Sequence, residues 1–218
     1  GNNYAITTHT NTTGVITSSA VLTVTGAVAD DKPYDGNTDA TVDFSGATLV
    51  GVPGGDDVTL VTTGYDAQFN DENVGTGKTV SVSGLTLDGT DAGNYGLDQP
   101  SLTANIAVKA LDIYAVTGTR AYDGSATSAG TPSVTGLVGG DTVSPLVQIF
   151  DSKNAGGRTL SVSSYTVNDG NSGNNYTVAT HADTTGVIEK EALNTPPVTA
   201  PNRYAGSTSS TGMPTVVG

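Results

Sequence analysis

The chain repeats one ordered set of motifs, and part of that set occurs a third time. Tyr34-Asp35-Gly36 returns as Tyr122-Asp123-Gly124, and Gly54-Gly55-Asp56 as Gly139-Gly140-Asp141. Gly77–Ser83 returns as Gly157–Ser163, and Asn94-Tyr95 as Asn175-Tyr176. The closing block Asn174-Asn175-Tyr176 with Thr184-Thr185-Gly186-Val187-Ile188 also stands at the start, as Asn2-Asn3-Tyr4 with Thr12-Thr13-Gly14-Val15-Ile16. Self-similarity in fixed order over a long period marks tandem modules. Matching motifs lie 88 residues apart at Tyr34 and Tyr122, 85 at Gly55 and Gly140, and 81 at Tyr95 and Tyr176. The second copy has therefore lost residues between motifs, as surface connections allow and packed strands do not.

This periodicity divides the chain into four stretches. Residues 1–19 are the closing half of a preceding repeat, 20–109 and 110–190 are two full repeats, and 191–218 form a Pro/Ser/Thr/Gly-rich tail or linker. A unit of roughly 80–90 residues is large enough for one core. Only 35% of residues are hydrophobic and 13% charged, and glutamate occurs only at Glu72, Glu189 and Glu191. With no apolar period of 3.6, this composition predicts an all-β protein. The expected strands are an opening one with Leu22, Val24 and Val28 on one face, then Ala40–Phe44, Val58–Thr63, Ala67–Phe69, Lys78–Leu87, Tyr95–Leu97 and Leu102–Val108. Within Lys78–Leu87 the apolar parity switches from Val80 and Val82 to Leu85 and Leu87 across Ser83-Gly84. The second copy repeats the switch across Ser163-Ser164. A strand cannot keep one face buried through such a switch, so a bulge or a sheet-switching corner is expected there.

Chemistry is sparse in this sequence. A net charge of −13 argues against nucleic acid and against anionic membrane surfaces as partners, and the chain lacks a membrane-length apolar run. It has no cysteine, which removes disulfides, thiol nucleophiles and thiolate metal sites. Gly75-Thr76-Gly77-Lys78-Thr79 echoes a phosphate-binding loop, but the upstream glycine is absent and an alternating strand follows, so a turn is expected. The two histidines, His9 and His181, occupy matching repeat positions, and no Gly-x-Ser-x-Gly elbow occurs. No catalytic, cofactor-binding or metal-binding residue is assigned, and the chain is read as a non-enzyme. Asp-rich turns (Asp56-Asp57, Asp66, Asp71, Asp88, Asp91, Asp98 and Asp169) leave calcium as a possible cofactor, but they lack a calcium-loop spacing and are poorly shared between repeats.

Lys32-Pro33-Tyr34-Asp35-Gly36, Leu49-Val50-Gly51-Val52 leading to Gly55-Asp56, Asn73-Val74-Gly75-Thr76-Gly77-Lys78 and Asp91-Ala92-Gly93-Asn94-Tyr95 together resemble the YDG-type repeats, relatives of the MBG modules. These repeats occur in large bacterial surface adhesins of the filamentous-haemagglutinin kind, exported by two-partner secretion. The resemblance implies an extracellular or cell-surface location and a structural or adhesive role, spacing or presenting binding regions in adhesion or biofilm matrix. The architecture expected is a tandem of β-sandwich or β-grasp-like modules forming an elongated rod, joined by a short interface around Val108–Leu111. Neighbouring repeats are the expected partners, with host or matrix glycans and self-association through sheet edges as further ones. Two other functions follow from the residues. Exposed Tyr65, Tyr114 or Tyr165 stacking on sugar rings would make a carbohydrate-binding module. Donation of a strand from the tail at 194–218 to an incomplete unit of another copy would make a filament subunit. Tyr95 and Tyr176 are expected to bury their rings, and Gly36 and Gly124 to take turn conformations.

Overall fold

The computed structural model describes residues 20–194. The expected half-unit at 1–19, with His9, and the tail from 195 onward lie outside the described residues. The described chain is all-β. Its single 3-10 turn, at Ala92–Asn94, leads into a strand.

Thr- and Val-rich segments broken by glycine turns give the first unit eleven strands. These are β1 (Ala20–Thr25), β2 (Val28–Ala29), β3 (Lys32–Pro33), β4 (Val42–Asp43), β5 (Thr48–Val50), β6 (Thr59–Val61), β7 (Asp66–Phe69), β8 (Gly75–Ser83), β9 (Thr86–Asp88), β10 (Tyr95–Asp98) and β11 (Ser101–Ala107). The second unit has seven: β12 (Lys109–Tyr114), β13 (Thr119–Ala121), β14 (Ser133–Thr135), β15 (Thr142–Phe150), β16 (Gly156–Asn168), β17 (Tyr176–His181) and β18 (Asp183–Glu189). Despite the unequal number, both units build the same two main sheets. The three-stranded sheet has the order β10-β1-β5 in the first unit and β17-β12-β14 in the second. The four-stranded sheet has the order β3-β11-β8-β7, matched by β13-β18-β16-β15. In each unit the opening strand lies parallel to the strand that starts at the Asn-Tyr motif, with Ala20 opposite Tyr95 and Lys109 opposite Tyr176. The sequence repeat is thus a repeat of topology.

The parity switch takes both of the expected forms. In the first unit β8 ends at Ser83, Gly84 turns the chain at φ +77°, and the chain leaves the four-stranded sheet to pair as β9 with β6. Leu85 is thereby buried beside Val80 and Val82. In the second unit β16 runs through the switch unbroken. Its register against β15 slips so that Ser164 faces Val147 and Val162 faces Gln148, leaving Ser163 as the extra residue.

Two expectations need correction. Val28 does not share the buried face of Leu22, because β1 stops at Thr25 and the chain bends at Gly26, which takes φ +80°. A β-carbon there would fall 2.2 Å from the Gly46 carbonyl oxygen, so the turn demands glycine. Leu22 is fully buried and Val28 is exposed. The join between units is also wider than Val108–Leu111. Val108 is exposed, whereas Leu111 is fully buried in an apolar cluster that runs from Tyr34, Phe69 and Ile106 of the first unit into Val167 and Tyr176 of the second. Ala115, Phe150, Leu160 and Ile188 form a separate cluster in the second unit. The core therefore does not divide where the sequence repeat divides.

Candidate functional site

The Tyr-Asp-Gly turn is built identically twice. Asp35 pairs with Lys32 at 2.9 Å and accepts the Asn37 amide, and Gly36 takes φ +77°. In the second unit Asp123 pairs with Arg120 and accepts the Ser125 amide at 2.8 Å, and Gly124 takes φ +80°. Each tyrosine is fixed by its own amide, Tyr34 to the Ala107 carbonyl and Tyr122 to that of Glu189, both at 2.9 Å. Short polar side chains thus hold the turn locally, and the tyrosine ring is left to do something else.

For Tyr34, that task is joining the units. Its ring is buried edge-on against Tyr176, with centroids 5.4 Å apart and planes at 79°. Both phenols donate to one carboxylate oxygen, Asp141 Oδ2, at 3.1 Å from Tyr34 and 2.5 Å from Tyr176. The Tyr176 hydroxyl also accepts the Val138 amide at 2.9 Å. Beside this triad, the fully buried Asn175 accepts the Val74 amide at 3.0 Å and donates to Asn73 Oδ1 at 3.1 Å. Asp169 fixes Asn175 by accepting its amide, together with those of Asn171 and Gly173. A β-carbon on Gly36 would come within 2.7 Å of Val138 Cγ1, so the turn itself is pressed against the second unit. Three of the repeated motifs converge on this seam: Tyr-Asp-Gly from the first unit, Gly-Gly-Asp and Asn-Tyr from the second.

The YDG domain matches residues 17–104 and again 107–186, which together cover most of the chain. The chain belongs to the YDG domain family. It carries the domain in two tandem copies. No curated protein matches it. In the first copy the tyrosine of the Tyr-Asp-Gly motif lies at the face that meets the second copy.

Burial first, and then the hydrogen bond to the Asp141 carboxylate, push the Tyr34 phenol up to about 12. The same two causes raise Tyr176. A phenol that is harder to ionise when folded adds stability that is fully present below its unfolded value near 10 and disappears as pH climbs through about 12. Circular dichroism during alkaline titration is therefore expected to show strand loss between about pH 10 and 12. Tyr34→Phe, which cannot titrate, should flatten that loss; an unchanged pH slope would refute the assignment.

The other candidate residues are dispersed. Tyr65 is half-buried edge-on to Phe44 at 5.0 Å, and its hydroxyl accepts the Val42 amide, so it is not available for sugar stacking. Tyr114 has one ring face covered by His181, stacked nearly parallel with centroids 4.3 Å apart, and His181 Nε2 lies 2.7 Å from Asp112 Oδ1. Tyr165 is 40% exposed and lines an open hollow of about 680 Å³ with Asn168, Asp169 and Val178. Tyr95 departs from expectation: it is half-exposed, whereas Tyr176 is buried. Tyr34 covers the Tyr176 ring, and no described residue does the same for Tyr95. Lys78, the lysine of the phosphate-loop echo, lies in β8 and pairs with Asp71 at 2.5 Å. Several turn carboxylates are spent on backbone amides, as Asp43 is on Ser45, Asp71 on Asn73 and Asp183 on Thr185. Sequence reasoning did not single out Asp141 as the shared acceptor or Asn73 as the partner of Asn175. The available signal was that aspartate and tyrosine both persist while the loops between them shorten.

Proposed function

We propose that this chain is a non-catalytic structural segment whose YDG units are keyed end to end, spacing or presenting other regions of a secreted or cell-surface bacterial protein. The observation that supports this reading most is Asp141 holding a phenol from each unit. Repeated side chains that could have faced a ligand are instead used to lock one unit to the next. In this reading the two-sheet units are sandwiches stacked into a rod, and adhesion or biofilm matrix is the setting that the resemblance to large adhesins suggests. A spacer should be inert towards ligands. The test is a glycan array probed with the intact chain and with Tyr165→Ala.

A second reading has one observation in its favour. The exposed Tyr165 ring beside an open hollow is the arrangement a carbohydrate-binding module uses. Absence of glycan binding supports the spacer. Binding that vanishes with Tyr165→Ala, with an unchanged melting temperature, overturns it in favour of a carbohydrate-binding module.

A further inference from the structure

The seam between the units has two halves, and each half occurs a second time in the chain. Tyr34, Asn73 and Val74 of the first unit are covered by the second. Their counterparts Tyr122, Asn154 and Ala155 instead line an open hollow of about 520 Å³, together with Lys190, Glu191 and Leu193. Tyr122 is 40% exposed where Tyr34 is 2% exposed, and Leu193 is 94% exposed where its counterpart Leu111 is buried. A β-carbon on Gly36 would strike Val138, whereas one on Gly124 would meet nothing within 4 Å. Among the described residues, then, the second turn shows the shape of the first without its occupant.

The other half recurs in the first unit. Asp56 accepts the Tyr95 phenol as Asp141 accepts that of Tyr176, and both aspartates follow a Gly-Gly pair whose second glycine has positive φ. Asp141 takes a second phenol from Tyr34; among the described residues Asp56 takes only that of Tyr95, and it is exposed. Pro53 stands where Val138 presses on Gly36, so a ring is available to meet Gly124. Tyr122 and the Asp56–Tyr95 pair do not bond to each other within the chain.

We infer that the Tyr122 turn receives the Asp56–Tyr95 face of a second copy of this chain, head to tail, through the contact that already joins its own two units. Tyr122 donates its phenol to Asp56 and lies edge-on to Tyr95, while Asn154 meets Asn94 as Asn73 meets Asn175. The two faces differ, so the contact is heterologous and each added copy leaves a free face for the next. This inference rests on the seam geometry and holds whether or not the chain serves as a spacer.

Sedimentation velocity over a range of concentrations tests it with the full 218-residue chain. Association should rise with concentration and weaken at least about tenfold with either Tyr122→Ala or Asp56→Ala. Both residues are exposed, so both variants should keep the parent melting temperature. The decisive arm is an equimolar mixture of the two variants, which retains one competent pair of faces and should stop at dimers. Association that survives both substitutions, or no association at the highest soluble concentration, overturns the proposal. Survival of both substitutions with loss on removing 194–218 would assign assembly to strand donation by the tail instead.

Discussion

Tyr176→Ala is expected to destabilise the fold by about 3–5 kcal/mol, in the range for losing a buried aromatic ring. Tyr95→Ala, at the same place in the repeat, should cost clearly less, as a partly exposed side chain does. The difference arises from the seam. Removing Tyr176 takes away the ring that Tyr34 packs against, one of the two phenols on Asp141, and the acceptor of the Val138 amide. Removing Tyr95 disrupts one hydrogen bond to an exposed carboxylate. Denaturant midpoints at constant slope measure both losses. Equal losses would mean that burial by the neighbouring unit contributes nothing.

Asp141→Ala is expected to cost about 2–4 kcal/mol, because two phenols lose a charged acceptor and that of Tyr34 is left buried without a partner. The matching change at Asp56 should stay within about 1 kcal/mol, since an exposed pair contributes little. Asp141→Asn gives a finer measurement. It keeps an acceptor but removes the charge, so the Tyr34 phenol should ionise at lower pH while remaining above its ordinary value, because burial is the larger cause. Ultraviolet titration of tyrosinate reads this directly. A Tyr34 titration identical to that of the parent would show that the carboxylate does not act on the phenol.

Local pattern carried the fold class and the turns. Tyr-Asp-Gly could be read as a turn because a cation before the aspartate, an amide two residues after it and a glycine at positive φ all act within six residues. The parity switch was equally local, and Gly84 and Ser163 resolve it by the two routes that a period of two allows. Val28 was misplaced because alternation was followed through Gly26, where the backbone changes hand. The seam was out of reach for a different reason. Tyr34 and Asp141 are 107 residues apart, and Val74 and Asn175 are 101 apart. Nothing near Tyr95 or Tyr176 tells which one will be covered, because the cover comes from another unit. Identical words acquire different surroundings from what stands next to them.

The parallel pairing of the opening strand with the Asn-Tyr strand has a mechanical consequence. β12 lies alongside β17 over six residue pairs, from Lys109 opposite Tyr176 to Tyr114 opposite His181. β17 runs on into β18 with only Ala182 between them. When the chain is held on both sides of this unit, tension enters at the start of β12 and leaves beyond the far end of β18. The two strands are then drawn past each other along their length, so their hydrogen bonds bear the load together and none can be peeled away first. An antiparallel hairpin gripped at its two ends would unzip one rung at a time. The first unit has the same arrangement between β1 and β10, shortened to four pairs, so stretching a single molecule is expected to unfold the first unit before the second.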